Sequence, residues 1–211
     1  MNVKPDPMLV GASQERTAAM STVLQALRLK GRATAQELAT SLACDPNEVE
    51  LELQTLAEAH LVIERTGGKR PGWMLTGEGR EHYEASLSAL RDPVTMERLK
   101  ETYKEFLHFN VPVKELSARW QSVSDDASRF EVIDELHEIE EKVAPSLLSA
   151  GEVVPRFGAY HVRLADALER AAEDHRYIVS PTVDSFHTVW FECHEDYLLM
   201  LGRTREQEGS W

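Results

Sequence analysis

The sequence predicts a mainly α protein in two parts: three helices closed by a β-hairpin and a fourth helix, then an all-α helical bundle. Three observations carry that expectation. Apolar residues recur at helical spacing through most of the 211 residues. Capping signatures at Thr34 and Asp45 cut the first third into short helices. Two short apolar runs, Leu61-Val-Ile-Glu-Arg65 and Trp73-Met-Leu-Thr76, flank the glycine-rich turn Thr66-Gly-Gly-Lys-Arg-Pro-Gly72.

Residues 1–13 hold Pro5 and Pro7 with little apolar patterning, and are expected to form a disordered tail. A first helix is expected from Gln14 to Lys30, with Ala19, Met20, Val23, Leu24 and Leu27 inward and Gly31 ending it. Thr34-Ala-Gln-Glu37 is a capping box, in which hydroxyl and carboxylate satisfy orphan amides reciprocally; it opens a second helix with Leu38 and Leu42 inward. Asp45-Pro46-Asn47-Glu48 opens a third, since Asp caps well and proline suits the first helical position. That helix is expected to reach His60, with Val49, Leu53, Leu56 and Ala57 facing the core. The hairpin follows, and Thr76 caps a fourth helix running to Leu90. Three helices, a hairpin and a further helix form the element order of a winged helix-turn-helix, placed at residues 14–92.

Arg91-Asp92-Pro93 marks the expected boundary, and residues 93–211 read as a helical effector or dimerisation domain. Five helices are expected there. The first, Met96 to Asn110, carries Leu99, Tyr103, Phe106 and Leu107 and is broken by Val111-Pro112. The second, Val113 to Gln121, holds Leu116 and Trp120. A polar loop leads to Phe130–Ala150, which carries Ile133, Leu136, Ile139, Val143 and Leu147, with Pro145 as a bend and Gly151 as a stop. Arg156–Asp174 carries Phe157, Tyr160, Leu164 and Leu168. Ile178–Pro181 reads as extended, and a last helix runs from near Asp184 to Gly202.

Hydrophobic residues make up 42% and charged residues 28%, ordinary for a soluble globular chain. No apolar run approaches the ~18 residues that span a bilayer. The N-terminal stretch lacks the apolar segment of a secretory signal, so cytoplasmic placement without membrane association is expected. Cys44 and Cys193 lie far apart and read as reduced, partly buried thiols. The net charge of −13 is unevenly spread: residues 1–92 carry ten basic against thirteen acidic side chains, residues 93–211 thirteen against twenty-three. Acidic surface repels nucleic acid, so any nucleic-acid role must rest on the first half.

In a helix-turn-helix the third helix enters the major groove. Its outward residues here are Asn47, Glu48, Glu50, Leu51, Glu52, Gln54, Thr55 and Glu58, with no Lys or Arg among them. Asn47 and Gln54 suit adenine, whose edge offers one donor and one acceptor to an amide. The four glutamates oppose phosphate contact, which supplies much of DNA affinity. Compensation is expected from the hairpin, where Arg65, Lys69 and Arg70 cluster, and from Arg28, Lys30 and Arg32 beside the first helix. The other reading of this surface is a protein-docking module.

The last helix holds His187 and His194, seven residues apart on one face with Trp190, Phe191, Tyr197 and Leu198 sharing or flanking it. Buried, hydrogen-bonded histidines explain that pattern; a small-molecule pocket polarised by them is the alternative. A metal would want closer ligand spacing or help from His108, His137 or His161, and nothing in the sequence brings these together. Arg163 suits a salt bridge with Asp184 or Glu195, or an anionic ligand. Trp120, beside Lys114, Arg119 and Gln121, suits an inward core position or a ligand-facing patch. Trp120, Arg163, His187 and His194 are therefore the candidate ligand-binding residues. No phosphate-cradling loop, GxSxG, HExxH or Cys–His arrangement occurs, so neither a catalytic residue nor a cofactor or metal is expected.

Leu24-Gln-Ala-Leu-Arg-Leu-Lys-Gly31, the Thr34–Leu42 helix, Leu56-Ala-Glu-Ala-His-Leu-Val62 and Trp73-Met-Leu-Thr-Gly-Glu-Gly-Arg80 resemble the winged helices of MarR-like transcription regulators. Asn110-Val-Pro-Val-Lys-Glu-Leu-Ser-Ala-Arg-Trp-Gln121 and Asp184-Ser-Phe-His-Thr-Val-Trp-Phe-Glu-Cys-His-Glu-Asp196 are similar to the C-terminal region of some actinobacterial pyruvate phosphate dikinase-like proteins, where a similar winged helix precedes that region. The second resemblance implies an accessory or regulatory module of phosphotransfer enzymes. The residues here include neither the nucleotide-binding nor the phosphohistidine domain of that family, so its catalysis does not carry over. The expectation is a winged-helix regulator binding double-stranded DNA as a homodimer, its helical domain serving ligand sensing or dimerisation. The rival is a non-catalytic subunit docking onto a dikinase-like enzyme. A stand-alone enzyme is a third reading with no motif behind it.

Overall fold

The computed structural model describes residues 22–68 and 70–204. The expected disordered tail, the start of the first helix with Ala19 and Met20, and Lys69 lie outside the described residues. The protein is mainly helical, with one two-stranded antiparallel sheet among the described residues. It divides into two compact units between Ala89 and Leu90.

In the first unit, residues 22–30 form α1 and bury Val23, Leu24 and Leu27. Gly31 ends it in the left-handed region, φ +69°, where a Cβ would be strained, and its N–H returns to the Leu27 carbonyl at 2.9 Å. α2 (Ala35–Leu42) opens on a complete capping box between Thr34 and Glu37, a device that stabilises a helix by about 1 kcal/mol. α3 (Pro46–Glu58) opens on Asp45, which accepts from the Asn47 N–H at 2.7 Å, with Pro46 at the first helical position. Its inner stripe is Val49, Leu53 and Leu56; Ala57 is only half-buried.

The hairpin pairs β1 (Val62–Arg65) with β2 (Gly72–Leu75), Val62 opposite Leu75 and Arg65 opposite Gly72. Ala33 adds a bridge to Trp73 through bonds of 2.8 and 3.1 Å, tying the loop before α2 to the returning strand. Gly72, at φ +142°, allows that approach, since a Cβ there would lie 2.8 Å from the Ala33 carbonyl oxygen. Thr76 accepts from the Gly79 N–H at 2.9 Å and opens α4 (Gly77–Ala89). The Tyr83 hydroxyl on α4 donates to the buried Gln25 Oε1 of α1 at 2.5 Å, joining the two helices inside the core.

The second unit contains α5 (Pro93–His108), α6 (Asn110–Ser122), α7 (Asp126–Val153), α8 (Arg156–Ala171), the single turn α9 (Arg176–Val179) and α10 (Phe186–Leu201). Its boundaries differ from the sequence expectation in four places. The first helix begins at Pro93 and not at Met96, because Asp92 caps α5, accepting from the N–H groups of Val94 and Thr95. Pro112 does not break a helix; it sits in the first turn of α6, where an N–H would have no intrahelical partner. Gly151 does not stop α7, which continues through Pro145 and Gly151 to Val153. Gly151 serves instead as a close-approach site, since a Cβ there would fall 2.9 Å from the Gly158 nitrogen of α8. Residues 176–179 are helical, and only Ser180, ψ 135°, is extended, as a residue before proline tends to be.

α10 is buried on nearly every side: Phe186, Val189, Trp190, Cys193, Tyr197, Leu198 and Met200 are all in the core. Its aromatic rings interlock with α5 and α8, Trp190 lying 4.3 Å from Phe106 and Tyr197 4.3 Å from Phe157 between centroids. Trp190 Nε1 donates to Asn110 Oδ1 at 3.3 Å, so the buried indole N–H has its acceptor. Among the described residues no helix is long and apolar enough to cross a membrane.

Candidate functional site

Three places in the structure bear on function. The first is the outer face of α3. Asn47, Glu48, Leu51, Gln54, Thr55 and Glu58 are exposed there, with Leu51 67% exposed at the centre. The two amides expected to read bases are held by neighbouring carboxylates: Asn47 Nδ2 donates to Asp45 Oδ1 at 2.9 Å, and Gln54 Nε2 to Glu50 Oε1 at 3.3 Å. Each would exchange that bond to meet adenine. Glu50 and Glu52 are less outward than the sequence suggests. Glu52 lies three residues after Val49 and four before Leu56, on the edge of the buried stripe. Its Oε1 is buried without a hydrogen-bond partner among the described residues, and burial pushes its carboxyl above the ordinary range. Cys44, expected partly buried, is exposed. Residual desolvation and then the carboxylates of Glu48, Glu52 and Asp45 raise its thiol, against thiolate chemistry.

The second place is the hairpin. Side chains alternate across a strand, so Ile63, Met74 and Arg65 lie on the face opposite Val62, Trp73 and Leu75. Val62, Trp73 and Leu75 are buried; Ile63 and Arg65 are exposed. Arg70 is exposed near the tip. Arg32 joins this outer face: it donates through Nη1 to the Arg70 carbonyl at 2.9 Å and through Nη2 to Met74 Sδ at 3.6 Å. Sequence reading left Arg32 beside Arg28 and Lys30 at the end of the first helix. Its only sequence signal is a position next to Ala33, whose single bridge is too short for an alternating pattern to reveal.

The third place is the second unit, where the four candidate ligand-binding residues fall into separate surroundings. Trp120 is 8% exposed; the Arg129 guanidinium lies 5.7 Å from its ring centroid and the His175 ring meets it edge-on at 5.3 Å. Arg163 donates to Asp184 at 2.8 Å and Glu192 at 2.6 Å; Glu192 stands where the sequence suggested Glu195. His194 is buried among Tyr103 and Phe106, its Nε2 3.1 Å from the Tyr103 hydroxyl. His187 is half-buried against Phe191, with centroids 4.5 Å apart. Burial holds its imidazole below the ordinary value.

What the sequence reading missed is the ionic seam between α8 and α10. Arg156, Tyr160 and Arg163 recur along one face of α8, and Glu192 and Asp196 along the facing side of α10. Asp196 is 0% exposed; it accepts two bonds of 2.9 Å from Arg156 and one of 3.1 Å from the Tyr160 hydroxyl. Burial alone would lower the Arg163 guanidinium, but the carboxylates of Glu192 and Asp184 outweigh it and raise it. Burial, then Asp196, pushes the fully enclosed Cys193 thiol and the Tyr160 phenol well up, which disfavours their ionised forms. The seam is a closed set of paired charges. A groove of about 260 Å³ between α6 and α7 is lined by Pro112, Leu116 and Ile139, and its cations are matched, Arg119 to Glu135 at 2.5 Å and Lys142 to Glu138 at 3.0 Å. Among the described residues no group of three or more His, Cys, Asp or Glu side chains is placed to hold a metal ion.

Comparison with protein-family models, with curated proteins and with solved structures gave no match.

Proposed function

We propose that the protein is a winged-helix regulator that binds double-stranded DNA, chiefly through its hairpin and only secondarily through α3. The supporting observation is the outer hairpin face, where Arg65 and Arg70 are exposed and Arg32 adjoins them, while the opposite face builds the core. The order of three helices, hairpin and fourth helix is that of a winged helix-turn-helix. α3 brings no cation, so Asn47 and Gln54 contribute base contacts against a repulsive background. In this reading the helical second unit serves dimerisation or ligand sensing in the cytoplasm, and a homodimer adds two weak half-site contacts.

The test is a duplex from the region upstream of the protein's own gene, titrated between 50 and 200 mM salt, conditions over which phosphate contacts lose affinity by orders of magnitude. Each lost phosphate contact lowers the log–log salt slope by about 0.9, so Arg65→Ala with Arg70→Ala should reduce it by about 2 per protomer. No duplex binding at the lowest salt removes this reading.

A second reading is favoured by Leu51, exposed at the centre of an acidic helix face. It makes α3 a protein-docking surface and the chain an accessory subunit of a dikinase-like phosphotransferase. Co-purification with such an enzyme, lost on Leu51→Glu, supports that reading; a solitary protein that binds duplex DNA rejects it.

A further inference from the structure

Resting on the DNA-binding reading, we propose that Arg32 is the positioning residue of the hairpin, the group that sets where Arg65 and Arg70 present their charge to a phosphate backbone. Three observations converge. Arg32 is half-buried, and both terminal nitrogens of its guanidinium are directed at the hairpin, one to the Arg70 carbonyl at 2.9 Å and one to Met74 Sδ at 3.6 Å. The adjoining Ala33 exchanges two backbone bonds with Trp73, so the guanidinium extends an existing attachment toward the tip. Arg65 lies directly opposite Gly72, whose missing side chain lets the Ala33 backbone approach.

These contacts place Arg32 at the base of the limb that carries Arg70. Between Arg65 and Gly72 the chain passes through Gly67 and Gly68, with Gly68 at φ +95°, a conformation that glycine adopts without strain. A charge-assisted bond to a carbonyl is stronger and shorter than a neutral one, and here it fixes the carbonyl of the very residue whose side chain faces outward. Arg65 and Arg70 then present their charges in a fixed relation to each other, and the entropy of ordering them is met on folding, before DNA arrives.

Two measurements test this. In a double-mutant cycle on duplex affinity, Arg32→Ala should weaken binding about tenfold and lower the salt slope by about 2, since two contacts lose their placement. In the Arg32→Ala background, Arg70→Ala should cost far less than in the parent. Additive effects with a slope change of about 1 would make Arg32 a phosphate ligand in its own right and overturn the positioning role. In the free protein, amide hydrogen exchange at Ala33 and Trp73 should quicken about tenfold in Arg32→Ala, with Leu53 and Leu56 in α3 unchanged. Unchanged exchange at Ala33 and Trp73 overturns the clamp, even where duplex binding weakens. Quickened exchange in a protein that binds no duplex leaves the hairpin attachment standing and removes its role in DNA binding, along with that reading.

Discussion

Replacing Asp196 by alanine should be among the most damaging single changes available in the second unit. Asp196 has no solvent exposure, accepts two bonds of 2.9 Å from Arg156, and is the acceptor for the Tyr160 hydroxyl. Arg156 is itself largely enclosed, its side chain 24% exposed. Removing one partner of a buried pair costs about 3–5 kcal/mol, because the remaining charge keeps its desolvation penalty and loses its compensation. For a unit of this size each kcal/mol shifts the melting temperature by about 4 °C, so the midpoint should fall by about 10–20 °C. The double variant Arg156→Met with Asp196→Leu, made in a Tyr160→Phe background so that no buried hydroxyl loses its acceptor, removes both charges and should recover most of the loss, since an apolar pair of similar volume is often no worse than the ion pair it replaces. Trp190, fully buried in this unit, supplies the fluorescence signal for denaturant titration of each variant. A cost below about 1 kcal/mol for Asp196→Ala, or a double variant as unstable as the single one, would refute the view that this pair is held together by mutual compensation.

Two further outcomes follow from the geometry. Gly79→Ala should cost about 3 kcal/mol in the first unit, because the new Cβ would sit 1.9 Å from the Leu61 carbonyl oxygen, and backbone cannot retreat as a flexible side chain can; a near-neutral effect on thermal unfolding would contradict that contact. His187 is held below its ordinary value of 6.5 by burial, so the unfolded chain takes up its proton first and stability is lost as pH falls below about 6.5. His187→Gln should flatten that part of the stability–pH curve, and identical slopes for parent and variant would reject the assignment.

Much of the fold was legible because short-range chemistry sets it. Thr34 with Glu37, Asp45 with Asn47 and Thr76 with Gly79 mark helix starts through bonds made within a few residues, and each of these bonds is present. Gly151 and Pro112 were misread for a common reason. A residue able to end a helix does so only where no tertiary contact or position within the helix gives it another use, and Gly158 supplies that contact for Gly151. The candidate sites were less legible, since the partners of Arg32 and Asp196 lie about 40 residues away in sequence. Periodicity puts a charge on a face, but does not say which opposing face receives it. For that reason Arg163 was correctly linked to Asp184 while Glu192 was passed over. Lys69, central to the expected basic tip, lies outside the described residues.

The division of labour within α3 has an evolutionary consequence. Its inner residues, Val49, Leu53 and Leu56, and its cap, Asp45 with Pro46, specify the helix, while Asn47, Glu48, Leu51, Gln54, Thr55 and Glu58 face solvent. Substitutions at those outward positions cost little stability, so selection can rewrite them freely. The same scaffold can thus exchange one binding preference for another through surface changes alone, without passing through an unfolded intermediate sequence.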